Sequence, residues 1–63
     1  MTRDTLIKLD SGVEIYKSNV SYLERKKAGP KYFVVMQDNT QHSIEEHEFW
    51  YYFEQFKFEI RQA

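Results

Sequence analysis

The sequence predicts an α+β fold, a small antiparallel β-meander of about four strands followed by one C-terminal α-helix. Three observations carry that prediction. Short runs of alternating apolar and polar residues fill roughly the first forty positions. Turn-forming residues punctuate those runs, at Asp10-Ser11-Gly12, Ser18-Asn19, Ala28-Gly29-Pro30 and Asp38-Asn39-Thr40. From Ser43 to Ala63 there is neither Gly nor Pro. At 63 residues the chain is read as a single domain, 1–63, because so short a chain cannot build two cores.

The strands follow in order. Residues 5–9, T-L-I-K-L, put Ile7 and Leu9 on one face. Gly12 can take positive φ and Asp10 can cap the turn, so a hairpin leads into 13–17, V-E-I-Y-K. The third strand, 20–27, ends in the charged run Glu24-Arg25-Lys26-Lys27. Gly29-Pro30 reverses the chain into 31–37, K-Y-F-V-V-M-Q, which is apolar on both faces. That pattern predicts a central strand covered on both sides. Gln41-His42 reads as a last short strand.

Ser43-Ile44-Glu45-Glu46 matches a capping box, with Ser43 as N-cap and Glu46 at N3. Glu45, Glu46 and Glu48 also favour the positive end of a helix dipole. One helix is therefore expected over about 44–61. An alternative ends it near Gln55 and makes the alternating run Phe56-Lys57-Phe58-Glu59-Ile60-Arg61 a strand. In the continuous helix, Phe49, Phe53, Phe56 and Ile60 form one apolar stripe, and Ile44, Tyr51 and Phe58 lie nearly opposite with His47 beside them. A second stripe on so small a protein needs a cover, which predicts a homo-oligomer, most simply a dimer.

Composition narrows the chemistry. There is no Cys, which excludes disulfides and Cys-based zinc sites. Nine basic and ten acidic residues give a net charge of -1. The charge is uneven: residues 1–31 carry seven basic and four acidic groups, residues 32–63 two and six. No leader-like apolar run opens the chain and no apolar stretch is long enough to span a bilayer, so the expected location is the cytoplasm, without a membrane partner.

No catalytic residue is assigned. The nucleophile-elbow, Walker and dinucleotide-binding patterns are absent, and Ser11, Ser18, Ser21 and Ser43 all read as turn or cap residues. No cofactor is expected. His42, Glu46 and His47 form the one candidate metal cluster, but His42 precedes the helix and the H-E-x-x-H pattern is missing, so no metal is assigned either.

Binding is the remaining class. Eleven aromatics make up 17% of the chain, and Phe49-Trp50-Tyr51-Tyr52-Phe53 is their densest block. Trp50, Tyr51, Tyr52 and Phe58 are the expected interface residues, since all cannot face one sheet and Trp and Tyr suit hot spots. Arg25, Lys26, Lys27 and Lys31 surround the Gly29-Pro30 turn, with Tyr22, Tyr32 and Phe33 close in sequence. Basic groups interleaved with aromatics can grip single-stranded nucleic acid. A pocket between subunits that sequesters a small ligand is a third possibility.

In size, absence of Cys and absence of catalytic motifs, the whole chain resembles the small proteins that phages and other mobile elements use to inhibit host enzymes or defence systems. The resemblance implies a non-enzymatic inhibitor acting as a homodimer on a host protein, in the host cytoplasm.

Overall fold

The computed structural model describes residues 4–63. The order of elements is β1 (Leu6–Lys8), β2 (Glu14–Tyr16), a 3-10 turn (Lys17–Asn19), β3 (Val20–Lys26), β4 (Lys31–Met36), β5 (Gln41–Ile44), α1 (Glu46–Phe56) and β6 (Ile60–Gln62). The α+β class stands, with six strands among the described residues rather than about four.

The four expected strands are present and slightly shorter. β1 and β2 form their own two-stranded antiparallel sheet, with Ile7 opposite Ile15. Its turn closes through Leu9 N–H to Val13 O at 2.8 Å, and Gly12 supplies the positive φ of 97° that the reversal needs. The second sheet has the order β5-β4-β3-β6. β3, β4 and β5 run as an antiparallel meander, joined by the turn containing Gly29 (φ 83°) and the Asp38–Thr40 turn.

Three expectations need correction. First, the helix starts later. Ser43 and Ile44 belong to β5, opposite Phe33 and Tyr32, because Ile44 fills the core and Ser43 completes the sheet ladder. The N-cap is Glu45, and Glu48 at N3 reaches back to accept its N–H at 3.1 Å. Secondly, the helix stops at Phe56. Lys57 turns left-handed (φ 57°) while its N–H still bonds Phe53 O at 2.9 Å. After residues 57–59, which belong to neither helix nor strand, β6 adds parallel to β3 with Leu23 opposite Ile60. The alternative reading of 56–61 is thus nearer the structure. Thirdly, the second helical stripe dissolves. Ile44 lies in β5, and Phe58 packs against the core beyond the helix. Of the large hydrophobic residues on the helix, only Trp50 and Tyr51 remain exposed, at 46% and 58%.

The core lies between one face of the four-stranded sheet, the helix and the small hairpin. Leu23, Val34, Tyr32 and Met36 meet Phe49, Tyr52, Ile7, Leu9 and Ile15 there. Phe49 is fully buried, its ring 4.8 Å from that of Tyr32. Alternation along β4 sends Phe33 and Val35 to the opposite face. Among the described residues no helix or second sheet packs on that face, so β4 has a covering layer on one side rather than two. Phe33 is only half-buried, while Val35, at 2% exposed, is covered by its neighbours within the sheet and stands apart from the main core.

Candidate nucleic-acid interface

The open face of the sheet follows from strand register alone. Three cross-strand rows lie on it. One runs Ser43–Phe33–Glu24–Arg61, the next Gln41–Val35–Tyr22, and the last Lys31–Lys26. Two aromatic rings, Tyr22 and Phe33, therefore sit diagonally on adjacent central strands, both half-buried. Cations lie on each. The Lys26 ammonium is 4.9 Å from the Phe33 centroid, and the Arg61 guanidinium is 4.1 Å from that of Tyr22. Arg61 also donates through Nε to Glu59, and that bond is the main reason its guanidinium is held above its ordinary pKa.

The hairpin that the sequence singles out is divided by the pleat. Lys26 and Lys31 are register partners on the open face. Like-charged residues directly opposite each other are unfavourable in a sheet, so this pair breaks a local rule of sheet pairing, with the Lys26 ammonium turned over the Phe33 ring. Lys27 is exposed in the turn. Arg25 faces the other way, opposite Tyr32 on the core side, and its Nε is buried without a partner. Tyr32 goes with it, buried beneath the helix with its hydroxyl donating to Glu46 at 2.9 Å. Of the aromatics near the hairpin in sequence, Tyr22 and Phe33 join the lysines and Tyr32 does not.

Glu24 and Arg61 are additional members of this face. The period-two spacing of Tyr22, Glu24 and Lys26 marks Glu24 from sequence. Arg61 has no such signal, since its place depends on β6 pairing in parallel with a strand more than thirty residues earlier.

The aromatic block of the helix is split. Phe49 and Tyr52 are buried, Phe53 is half-buried, and Trp50 and Tyr51 face outward. Phe58 stacks at 5.5 Å on Phe56. Tyr52 donates its hydroxyl to Glu48 at 2.9 Å. Burial first, then that hydrogen bond to a carboxylate, pushes the Tyr52 hydroxyl well above its ordinary pKa.

Glu48 is the one buried charged side chain among the described residues. Its carboxylate accepts three bonds: Glu45 N–H at 3.1 Å, Asp10 N–H at 3.0 Å and the Tyr52 hydroxyl. His47 Nε2 lies 2.7 Å from Asp10 Oδ2 beside it. The histidines and Glu46 thus take separate partners: His47 meets Asp10, Glu46 meets Tyr32, and His42 stands opposite Val34 in β5. Asp10, His47 and Glu48 instead bring ligand-type atoms within 4.8 Å of one another. Both Glu48 oxygens are already engaged by donors, so the cluster reads first as a tie between the β1–β2 turn and the helix. A groove of about 390 Å³ opens next to it, floored by Leu6, Ile7, Tyr51 and Phe56.

Among the described residues no helix is long and apolar enough to cross a membrane. Compared with known proteins, the chain matches no family model, no curated sequence and no solved structure.

Proposed function

We propose that this chain is a non-enzymatic binding protein that takes single-stranded nucleic acid on the open face of its sheet. One observation carries the reading: Tyr22 and Phe33 share that face with Lys26, Lys31 and Arg61. Stacking of a base on an aromatic side chain contributes about 1–3 kcal/mol, and every base has a π-face to offer. Cations beside the rings supply the phosphate contacts. The opposed Lys26 and Lys31 support the same reading, because a polyanion relieves their repulsion.

The net charge of -1 does not oppose it. The acidic groups Glu45, Glu46 and Glu54 belong to the helix side, while Lys26, Lys27, Lys31 and Arg61 lie at the open face and the turn, with Glu24 the one carboxylate in the rows of that face and Glu59 paired to Arg61. Local potential, not net charge, sets the attraction at short range.

Fluorescence anisotropy with labelled single-stranded oligonucleotides tests this. Binding should be in the micromolar range or tighter at low salt. With about three phosphate contacts, the slope of log K against log salt should be about −2. Binding that ignores salt, or no binding of DNA or RNA at low salt, defeats the reading.

A second reading has its own observation. Trp50 and Tyr51 are exposed, and Leu6, itself 50% exposed, lines the groove beside Tyr51. Such a patch suits a protein partner, either a second copy of this chain or the host protein of the inhibitor reading. Either role would be carried out in the cytoplasm.

A further inference from the structure

We infer that Glu24 reads the base that stacks on the open face, and that it selects guanine. The inference rests on the nucleic-acid reading above and names the substrate within it.

Glu24 sits on β3 in the row Ser43–Phe33–Glu24–Arg61, on the same strand and face as Tyr22 and directly opposite Phe33. A carboxylate in the middle of a phosphate-binding face is an electrostatic cost, since it repels the strand that the neighbouring lysines attract. Its Oε1 is shut off from solvent and accepts no hydrogen bond. The cation nearest in register does not satisfy it. Arg61 is turned to Glu59 and to the ring of Tyr22. A buried acceptor with no donor is unfavourable, and a ligand that brings an N–H relieves it.

A base laid on Phe33 or Tyr22 brings its edge to this carboxylate. Guanine presents N1–H and the N2 amino group side by side, two donors matched to two carboxylate oxygens once the Glu24 side chain turns its enclosed Oε1 toward the base. Cytosine and adenine each present one amino group. Thymine and uracil present a single N3–H flanked by two carbonyl oxygens that repel a carboxylate. The order expected is guanine first, then cytosine and adenine, with thymine and uracil last. Glu24 therefore weakens general attraction to the strand while making the remaining binding selective. Entry of the base shifts the Arg61 guanidinium from Tyr22, and Arg61 can then stack on the outer side of the base or contact a phosphate.

The test uses labelled all-thymine DNA 8-mers carrying a single central guanine, cytosine, adenine or thymine, and the uracil RNA series, all at one low salt concentration. A single guanine avoids quadruplexes. The wild-type chain should bind the guanine oligomer about tenfold tighter than the all-thymine one. Glu24→Gln and Glu24→Ala should reduce that ratio to about twofold or less, and the all-thymine oligomer should bind as well as before or better, since a negative charge is gone. Circular dichroism of both variants checks the fold. Equal wild-type affinity for guanine and thymine oligomers, or a guanine preference that survives Glu24→Ala, overturns the inference and leaves nucleic-acid binding standing. No binding of any oligomer by the wild-type chain removes the underlying reading as well.

Discussion

The Tyr52 hydroxyl donates to Glu48 Oε2 at 2.9 Å, one helical turn apart on the buried face of α1. The same oxygen accepts Asp10 N–H from the β1–β2 turn, and the other accepts Glu45 N–H at the helix start. One carboxylate thus caps the start of the helix, anchors the small hairpin and holds a buried phenol.

Removing it leaves three donors without their partner. Glu48→Ala should destabilise the chain by about 2–4 kcal/mol, measured by urea unfolding, since an N-cap contact and two further bonds vanish together. Glu48→Gln should cost less, because an amide oxygen still accepts. A Glu48→Ala loss below about 0.5 kcal/mol would show that the tie contributes little.

Tyr52 predicts the alkaline behaviour. Its native pKa is raised above the ordinary value of 10.0, so the folded state favours the neutral phenol. The resulting stability is complete below about pH 10 and declines as pH rises through the native value. Unfolding midpoints should therefore fall steeply above about pH 10, and tyrosinate absorbance should show a tyrosine that ionises only as the chain unfolds. Tyr52→Phe should flatten that part of the profile. An unchanged profile in Tyr52→Phe would assign the alkaline loss to other groups.

Ser43 and Ile44 separate a strand from a helix cap. If Ser43 capped the helix, Ser43→Ala would cost about 1 kcal/mol. As an exposed β5 residue it should cost less than about 0.5 kcal/mol. Ile44→Ala, which empties part of the core, should cost about 2–5 kcal/mol. Thermal unfolding of the two variants distinguishes the cases.

Lys57 carries a left-handed backbone without being glycine. Lys57→Gly should stabilise the chain by up to about 1 kcal/mol by removing the Cβ penalty. Destabilisation would mean that flexibility gained in the unfolded state outweighs the strain relieved.

The lysine pair is tested by salt. Lys26→Ser with Lys31→Ser should leave the fold intact, since an opposed like-charged pair is lost. The salt slope for single-stranded DNA should shrink by about 1.4, two contacts at about 0.7 each. Phe33→Ala should weaken binding by about 1–3 kcal/mol while sparing the salt slope. Normal affinity in both variants would move the binding site elsewhere.

Much of the fold was legible because its signals are local. Period-two alternation and turn residues located the four main strands, and a break-free, acid-capped segment located the helix. The ends of the helix were not legible. The acid-rich run from Glu45 to Glu48 offers overlapping caps, and the choice between them depends on Ile44 pairing with Tyr32 in the sheet. No glycine marks the stop at Lys57, where pairing of β6 with β3 outweighs helix continuation. For the same reason the second apolar stripe was an artefact of extending the 3.6-residue period through residues that leave the helix.

The candidate site divides along the same line. The sequence by itself determined that the chain is rich in aromatics, that its basic residues cluster at one hairpin, and that Tyr22 and Phe33 lie near them. Those are matters of composition and spacing. Only the tertiary structure decided which of these residues share a surface. The pleat sends Lys26, Lys31, Phe33 and Tyr22 to the open face and Arg25 and Tyr32 to the core, while a parallel strand from the far end of the chain adds Arg61. A one-residue shift in register exchanges the two faces, and register is fixed by which face the helix buries.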